Sequence, residues 1–371
     1  GTELQPDHVV VPPGDYFFAL AGNGNLAGDL DITQSMVLVG AGAASTAIDA
    51  SGLDRVFDIR TGNVEIRGLT IRGGVVDDTE ALLDGTGGGV RNEGTLLIAD
   101  SVVTGNRATR GAGIGNYNGT LSVQRSFITG NGDAVTQSGG GIHNYSYYDP
   151  ASVSVMDSTV SGNRATSGGG VNNHAYDGMA SAVISGSTIS GNNADIGGGI
   201  ANRAVYYAEQ GAHASLTIVG STISGNVGST SGGGIHSQAT AESTATLNIR
   251  NSTIARNTAA GGPGGGIHVI DSAGTNSTLN SVLVAENTSV GTGQDLEVAS
   301  LSASYTLVET PGGHNLVNAL NDNQVGVDAL LLELADNGGL TFSHEVASGS
   351  PAIDQGANLD GLYGDQRGSG F

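Results

Sequence analysis

The sequence predicts an all-β protein, a right-handed parallel β-helix in which each solenoid coil carries three short strands. Two observations predict it. First, a triple-glycine phrase ending in Ile or Val recurs: GGGV at 87–90, GAGI at 111–114, GGGI at 139–142, GGGV at 168–171, and GGGI at 197–200, 232–235 and 264–267. The successive offsets of 24, 28, 29, 29, 35 and 32 residues are those of a solenoid, whose units bury their apolar faces only against one another. Second, the stretches between the phrases alternate small polar with apolar residues, the period-two sign of strands with one buried face, and no helical period intervenes. The right hand follows the general preference of parallel crossovers.

The chain reads as a single domain over 1–371. Residues 1–60 hold the apolar runs VVVPPGDYFFAL (9–20) and MVLVGAG (36–42), expected as an N-terminal cap and a first, irregular coil. Residues 61–300 form the regular coils. In the coil at 138–166, GGGIHN (139–144) is extended, YSYYDPA (145–151) reads as a loop, SVSVMDS (152–158) as a second strand, and TVSGN (159–163) as a third closed by a Gly-Asn turn. Asparagines fall in two columns. Asn92, Asn116, Asn144, Asn173 and Asn202 follow the glycine phrase, while Asn106, Asn131, Asn163, Asn192, Asn226, Asn257 and Asn287 close the third strand. Each is expected to bond its copy in the next coil. The glycines permit tight corners. Beyond about residue 300 the phrase is lost, and ALLLELA (329–335) is expected as a short helix or a last apolar strand within C-terminal coils and a cap.

Composition narrows the function. There is no Cys, which excludes disulfides and thiolate metal sites. All 13 basic residues are Arg and the net charge is −22, which argues against nucleic acid as a partner and suits a soluble, solvated surface. No apolar run is long enough for a transmembrane helix. No signal peptide is visible, so the opening at Gly1 reads as a mature or trimmed start.

The units STVSGNRATSGGGV (158–171) and STISGNNADIGGGI (187–200) resemble coils of bacterial right-handed β-helix proteins. The phrases LADNGGLTFSHEV (334–346), SPAIDQGAN (350–358) and DQRG (365–368), with the opening at 10–33 and GLDRVFDI (52–59), resemble secreted proteins of the choice-of-anchor Q domain type. The GGGI and SGN phrases are more distantly similar to repeats of chlamydial polymorphic outer-membrane proteins. The resemblance implies a secreted or surface-attached β-helix and leaves its activity open, because β-helices include both lyases and passive surface proteins.

Laid on the glycine phrase, the coils show one edge with chemistry. The residue after the inward Ile or Val is expected to point outward: Arg91, Gly115, His143, Asn172, Ala201, His236, His268. After the Asn column come Glu93, Tyr117, Tyr145, His174, Arg203 and Gln238. Seven of the ten tyrosines gather here: Tyr117, Tyr145, Tyr147, Tyr148, Tyr176, Tyr206 and Tyr207. Tyrosines on such a ridge suit sugar rings, offering a flat apolar face and a hydroxyl, so the expected partner is a polysaccharide. The substrate-binding residues are then Tyr117, His143, Tyr147, Tyr148, Asn172, Tyr176, Tyr206, Tyr207 and His236. A β-eliminating lyase needs a base, an acid and a carboxylate clamp; Tyr145, His174 and Arg203 share one column, with His174 expected as the base, Tyr145 or Tyr176 as the acid and Arg203 as the clamp. Asp149, Asp177 and Glu209 are the alternatives for a paired-carboxylate glycosidase. No organic cofactor is expected; Ca²⁺ is the ion the acidic residues could hold. The rival reading is a non-catalytic surface or adhesion rod. An outward Thr-x-Ser column at Thr159, Thr188 and Thr222 also has the form of an ice-binding ladder, though a short and mixed one.

Overall fold

The computed structural model describes residues 6–19, 28–76, 85–206, 211–240, 242–270, 276–298, 300–312, 316, 318–358, 361–362 and 364–369. Its strands pair in parallel, coil upon coil, as a right-handed β-helix. Each coil contributes one strand to each of three sheets. The first sheet follows the triple glycine and has 10 strands, the second has 11 and the third has 12. Inward residues stack in columns: Ile142, Val171, Ile200, Ile235 and Ile267 from the first sheet meet Val155, Ile184, Ile218 and Ile249 from the second and Val160, Ile189, Ile223 and Ile254 from the third. All are buried, and each contributes roughly 1.5–3 kcal/mol by leaving water.

Both asparagine columns are hydrogen-bonded ladders. Asn92 Nδ2 donates to Asn116 Oδ1 at 2.7 Å, Asn116 to Asn144 at 2.7 Å, and Asn144 to Asn173 and Asn173 to Asn202 at 2.8 Å. The second ladder runs from Asn106 to Asn287 and ends on Asp295, whose Oδ1 accepts from Asn287 Nδ2 at 2.8 Å. A carboxylate suits the last rung, because it only accepts. Burial, partly offset by these hydrogen bonds, raises the Asp295 pKa to about 6.

Three expectations change. Asp7–Val11, Gly14–Phe17 and Leu30–Ile32 already form a coil paired strand for strand with Met36–Gly40, Thr46–Asp49 and Phe57–Ile59. The region at 1–60 is thus two stacked coils over its described part. The segment from Tyr145 is strand, since Ile142–Tyr147 runs on before a turn at 148–150. The reason lies inside: Ser146 aligns with Ala175, Ala204 and Ala239, and a small alanine core with Ala180, Ala214 and Ala245 zips the first and second sheets beyond the main core. Coils also gain a fourth short strand before the glycines: Asn193–Ile196, Val227–Ser231, Thr258–Ala259 and Thr288–Ser289. The apolar run at 329–335 resolves as strand, with Leu331–Ala335 antiparallel to Ser343–Val346. Among the described residues no helix is long and apolar enough to cross a membrane.

The chain after the last coil returns along the third sheet. Thr188 donates to Phe342 O, Thr222 Oγ1 donates to Gln366 Oε1 at 2.7 Å, and Ser224 Oγ lies 2.8 Å from His344 Nε2. Thr188 and Thr222 are therefore buried under this strap, and the Thr column is no free ice-binding face.

Candidate functional site

Ile142, Asn144 and Ser146 point into the coil, so His143, Tyr145 and Tyr147 point out from the first sheet. Register places the outward residues in lanes that cross the coils. The first lane runs Asp31, Asp58, Arg91, Gly115, His143, Asn172, Ala201, His236, His268, Glu297. The second runs Tyr117, Tyr145, His174, Arg203, Gln238. The third holds Tyr147 and Tyr176.

The first lane is not the open surface expected of it. His143, Asn172 and His236 are 2%, 0% and 2% exposed. The triple-glycine corner folds over them: a Cβ placed on Gly139, whose φ is +61°, would stand 2.7 Å from the His143 Cβ, and one on Gly232 would stand 2.8 Å from the His236 Cβ. Only glycine fits a left-handed corner pressed this closely onto the next strand. These three side chains cannot touch a polymer directly. His143 instead supports the second lane, stacking on Tyr145 with centroids 5.4 Å apart while Nδ1 meets Asn172 Nδ2 at 3.0 Å. His236 sits away from the tyrosines, beside His268.

The second and third lanes form one aromatic patch. Tyr117 lies 5.6 Å from Tyr145 and 6.4 Å from Tyr147; Tyr147 stacks on Tyr176 at 5.5 Å and meets Tyr148 edge-on at 4.5 Å. Tyr117, Tyr147 and Tyr176 are half-buried, Tyr148 is exposed, and Tyr145 is buried beneath them. Tyr206 is half-buried further along; Tyr207 and Glu209 lie outside the described residues. Asp149 is exposed, whereas Asp177 is buried in a left-handed turn.

Tyr145, His174 and Arg203 are adjacent in register as expected, with the Tyr145 and His174 rings 5.3 Å apart. Their electrostatics oppose proton transfer near neutral pH. Burial and the neighbouring tyrosines push the Tyr145 hydroxyl up, so it stays protonated. Burial, then Arg203 and Arg110, lower the His174 pKa to about 3. General bases work best near the operating pH, so this imidazole is a weak one. Its Nε2 is buried without a hydrogen-bond partner. Arg203 is half-buried, its Nε has no partner, and burial lowers its pKa; the guanidinium remains charged. Arg55, Arg60, Arg91, Arg125 and Arg256 all face carboxylates, but Arg203 pairs with none among the described residues.

Arg110 is the residue that reading along the coils missed. It precedes the second glycine phrase and bridges Thr86 and Ser138, and its charge acts on His143, Tyr145 and His174. Aligning the position just before each triple glycine would have exposed it. The one acidic cluster of metal-site geometry among the described residues is Asp29, Asp31 and Asp58. It is already met by cations: Arg55 reaches Asp29 at 3.3 Å, Arg60 reaches Asp31 at 2.7 Å, and Arg91 reaches Asp58 at 2.8 Å. That pairing favours an ion-pair network over Ca²⁺.

No family model matches the chain, and no curated protein matches it. Solved structures with a similar chain path include the catalytic unit of a thermostable GH87 α-1,3-glucanase from Streptomyces thermodiastaticus strain HF3-3, at 14% identity and TM-score 0.42, covering 86% of this chain and 64% of that one. A GH87 α-1,3-glucanase catalytic domain in complex with tetrasaccharides is similar at 13% identity and TM-score 0.36, over 85% and 64% of the two chains. A mannuronic acid specific polysaccharide family 6 lyase from human gut microbiota follows at 10% identity and TM-score 0.32, over 86% and 77%. The chain spans about 64% of the length of the first two, and no residue role is carried over from any of them.

Proposed function

We propose that the protein binds a polysaccharide across its coils, on the tyrosine patch of the first sheet. The observation that carries this reading is the contiguous set Tyr117, Tyr147, Tyr148 and Tyr176, open to solvent in a chain without Trp and with only 4% aromatic residues. Half-buried phenol rings held in place by buried neighbours pay little ordering entropy on binding. The coil step of about 4.8 Å is close to the length of one pyranose unit, so successive lanes can meet successive sugars. Tyr145, His143 and Asn172 act as supports beneath the patch. A secreted or surface location and kinship with the choice-of-anchor Q proteins, suggested by the phrases at 334–346, 350–358 and 365–368, accord with a glycan partner.

Glycan arrays and calorimetry test it. Tyr147→Ala and Tyr176→Ala are each expected to weaken binding about tenfold, close to 1.4 kcal/mol, with unchanged thermal unfolding. Undiminished binding by the double variant overturns the reading.

A second reading rests on one observation: Arg203, which faces no carboxylate among the described residues, stands in register with His174 and Tyr145. In it Arg203 holds a uronate carboxylate, His174 removes the α-proton and Tyr145 protonates the leaving oxygen. A bound carboxylate raises the His174 basicity by cancelling the Arg203 charge, though burial still opposes it. Ultraviolet absorbance of an unsaturated product, absent in Arg203→Gln, is the expected sign; no product from any uronate leaves binding alone.

A further inference from the structure

We infer that His236, His268 and Glu297 form a site for a divalent transition cation such as Zn²⁺, separate from the tyrosine patch. The three occupy the first lane in consecutive coils, on the outward side of one sheet. His236 Nδ1 and His268 Nδ1 face each other at 3.3 Å, with rings tilted by 60°. Two ligands at the roughly 2.0–2.1 Å of a Zn–N bond, set at a tetrahedral angle, are about 3.3 Å apart. The two nitrogens thus already stand at the spacing of one edge of such a tetrahedron.

The next rung brings the charge. Glu297 lies between the buried residues Leu296 and Val298 in its strand, and its Oε2 is buried without a hydrogen-bond partner. That oxygen fits where glycines leave room, since a Cβ on Gly293 or Gly312 would stand 2.7 or 2.9 Å from it. A buried carboxylate oxygen with no donor is costly, and a cation held against His268 would satisfy it. The carboxylate is not within 4.8 Å of both ring nitrogens together, so closure of the site requires a change of its rotamer. Ser231 Oγ, 3.2 Å from His236 Nδ1, borders the opposite side. Two imidazoles and one carboxylate, with a position left for water, make the donor set of first-row divalent cations rather than of Ca²⁺. Arg203, two residues past the partner of His236 in the adjacent strand, is a charge that opposes a cation at His236, and Glu297 offsets it.

The test uses the full chain after chelator treatment and dialysis. Calorimetry with Zn²⁺ is expected to give one ion per chain, and Co²⁺ is expected to give the intense visible bands of a tetrahedral complex. His268→Gln, at the half-exposed member, is expected to weaken binding by more than about tenfold and to abolish the Zn²⁺-dependent rise in Tm. Glu297→Gln is expected to weaken it as well, while His143→Gln, in the same lane but remote, leaves it unchanged. Circular dichroism confirms that each variant is folded. Absence of Zn²⁺ binding, a weak octahedral Co²⁺ spectrum, or equal affinity in wild type and His268→Gln overturns the site and leaves an N–H···N bond between the two rings.

Discussion

At the scale of single residues, the interior asparagines and histidines set the stability. Asn163 accepts from Asn131 N and Nδ2 at 2.9 and 3.0 Å, and donates to Ile128 O and Asn192 Oδ1 at 2.9 and 3.0 Å. Removing it orphans buried groups on both neighbouring coils. Asn163→Ala is expected to cost at least about 2 kcal/mol in urea unfolding. Two of the histidines withdraw stability from the fold as the pH falls. His143 is held well below its ordinary pKa by burial first and then by His174 and Arg110, and His174 falls from 6.5 to about 3. An unfolded histidine takes up a proton below pH 6.5 while these do not, so stability is lost as pH falls from 6.5, for His174 down to about 3. The slope is up to about 1.4 kcal/mol per pH unit for each. Asp29 and Asp295, both raised to about 6, act in the opposite sense and stabilise the fold as pH falls through 6. His143→Gln should therefore flatten the loss of urea midpoint below pH 6.5. An unchanged slope would show that His143 does not carry it.

At the scale of the element, the glycine corner shapes the site. Gly140 has no room: a Cβ there would meet Arg164 O at 2.5 Å and Gly169 O at 2.6 Å. Both contacts are backbone in the adjoining coil, so Gly140→Ala must separate two coils. Gly105, in the left-handed region at φ +65°, has nothing within 4 Å, and its replacement costs backbone strain alone, about 1–2 kcal/mol. Denaturation midpoints should rank Gly140→Ala below Gly105→Ala; the reverse order would contradict the packing. The coil pattern was legible because Ile, Asn and Gly each have a fixed station in it. The extension of the first sheet was not, because Ser146, Tyr145 and Tyr147 carry turn-like and aromatic side chains whose alternation only makes sense once Ala175 and Ala204 stack on Ser146.

At the scale of the whole molecule, the returning C-terminal strap joins residues far apart in sequence. Gln366 Nε2 donates to Thr188 Oγ1 at 3.0 Å and to Thr341 Oγ1 at 2.8 Å, while its Oε1 accepts from Thr222. Gln366→Ala is expected to raise proteolysis of the segment at 341–366 and amide exchange at 188–190, without altering exchange of the interior Ile columns. Protection of the strap equal to wild type would place its anchorage elsewhere, at Ser224 and His344.

The repeat pattern of the chain specifies the coil, the stacking of Ile and Asn columns and the adjacency of Tyr145, His174 and Arg203. Each follows from a repeat that leaves one residue per coil at each station. The tertiary structure alone decided which outward residues reach solvent. Glycine corners close over His143, Asn172 and His236, and the strap covers Thr188 and Thr222. Exposure depends on segments that cross a lane from outside the repeat position being read, and side-chain periodicity carries no record of them.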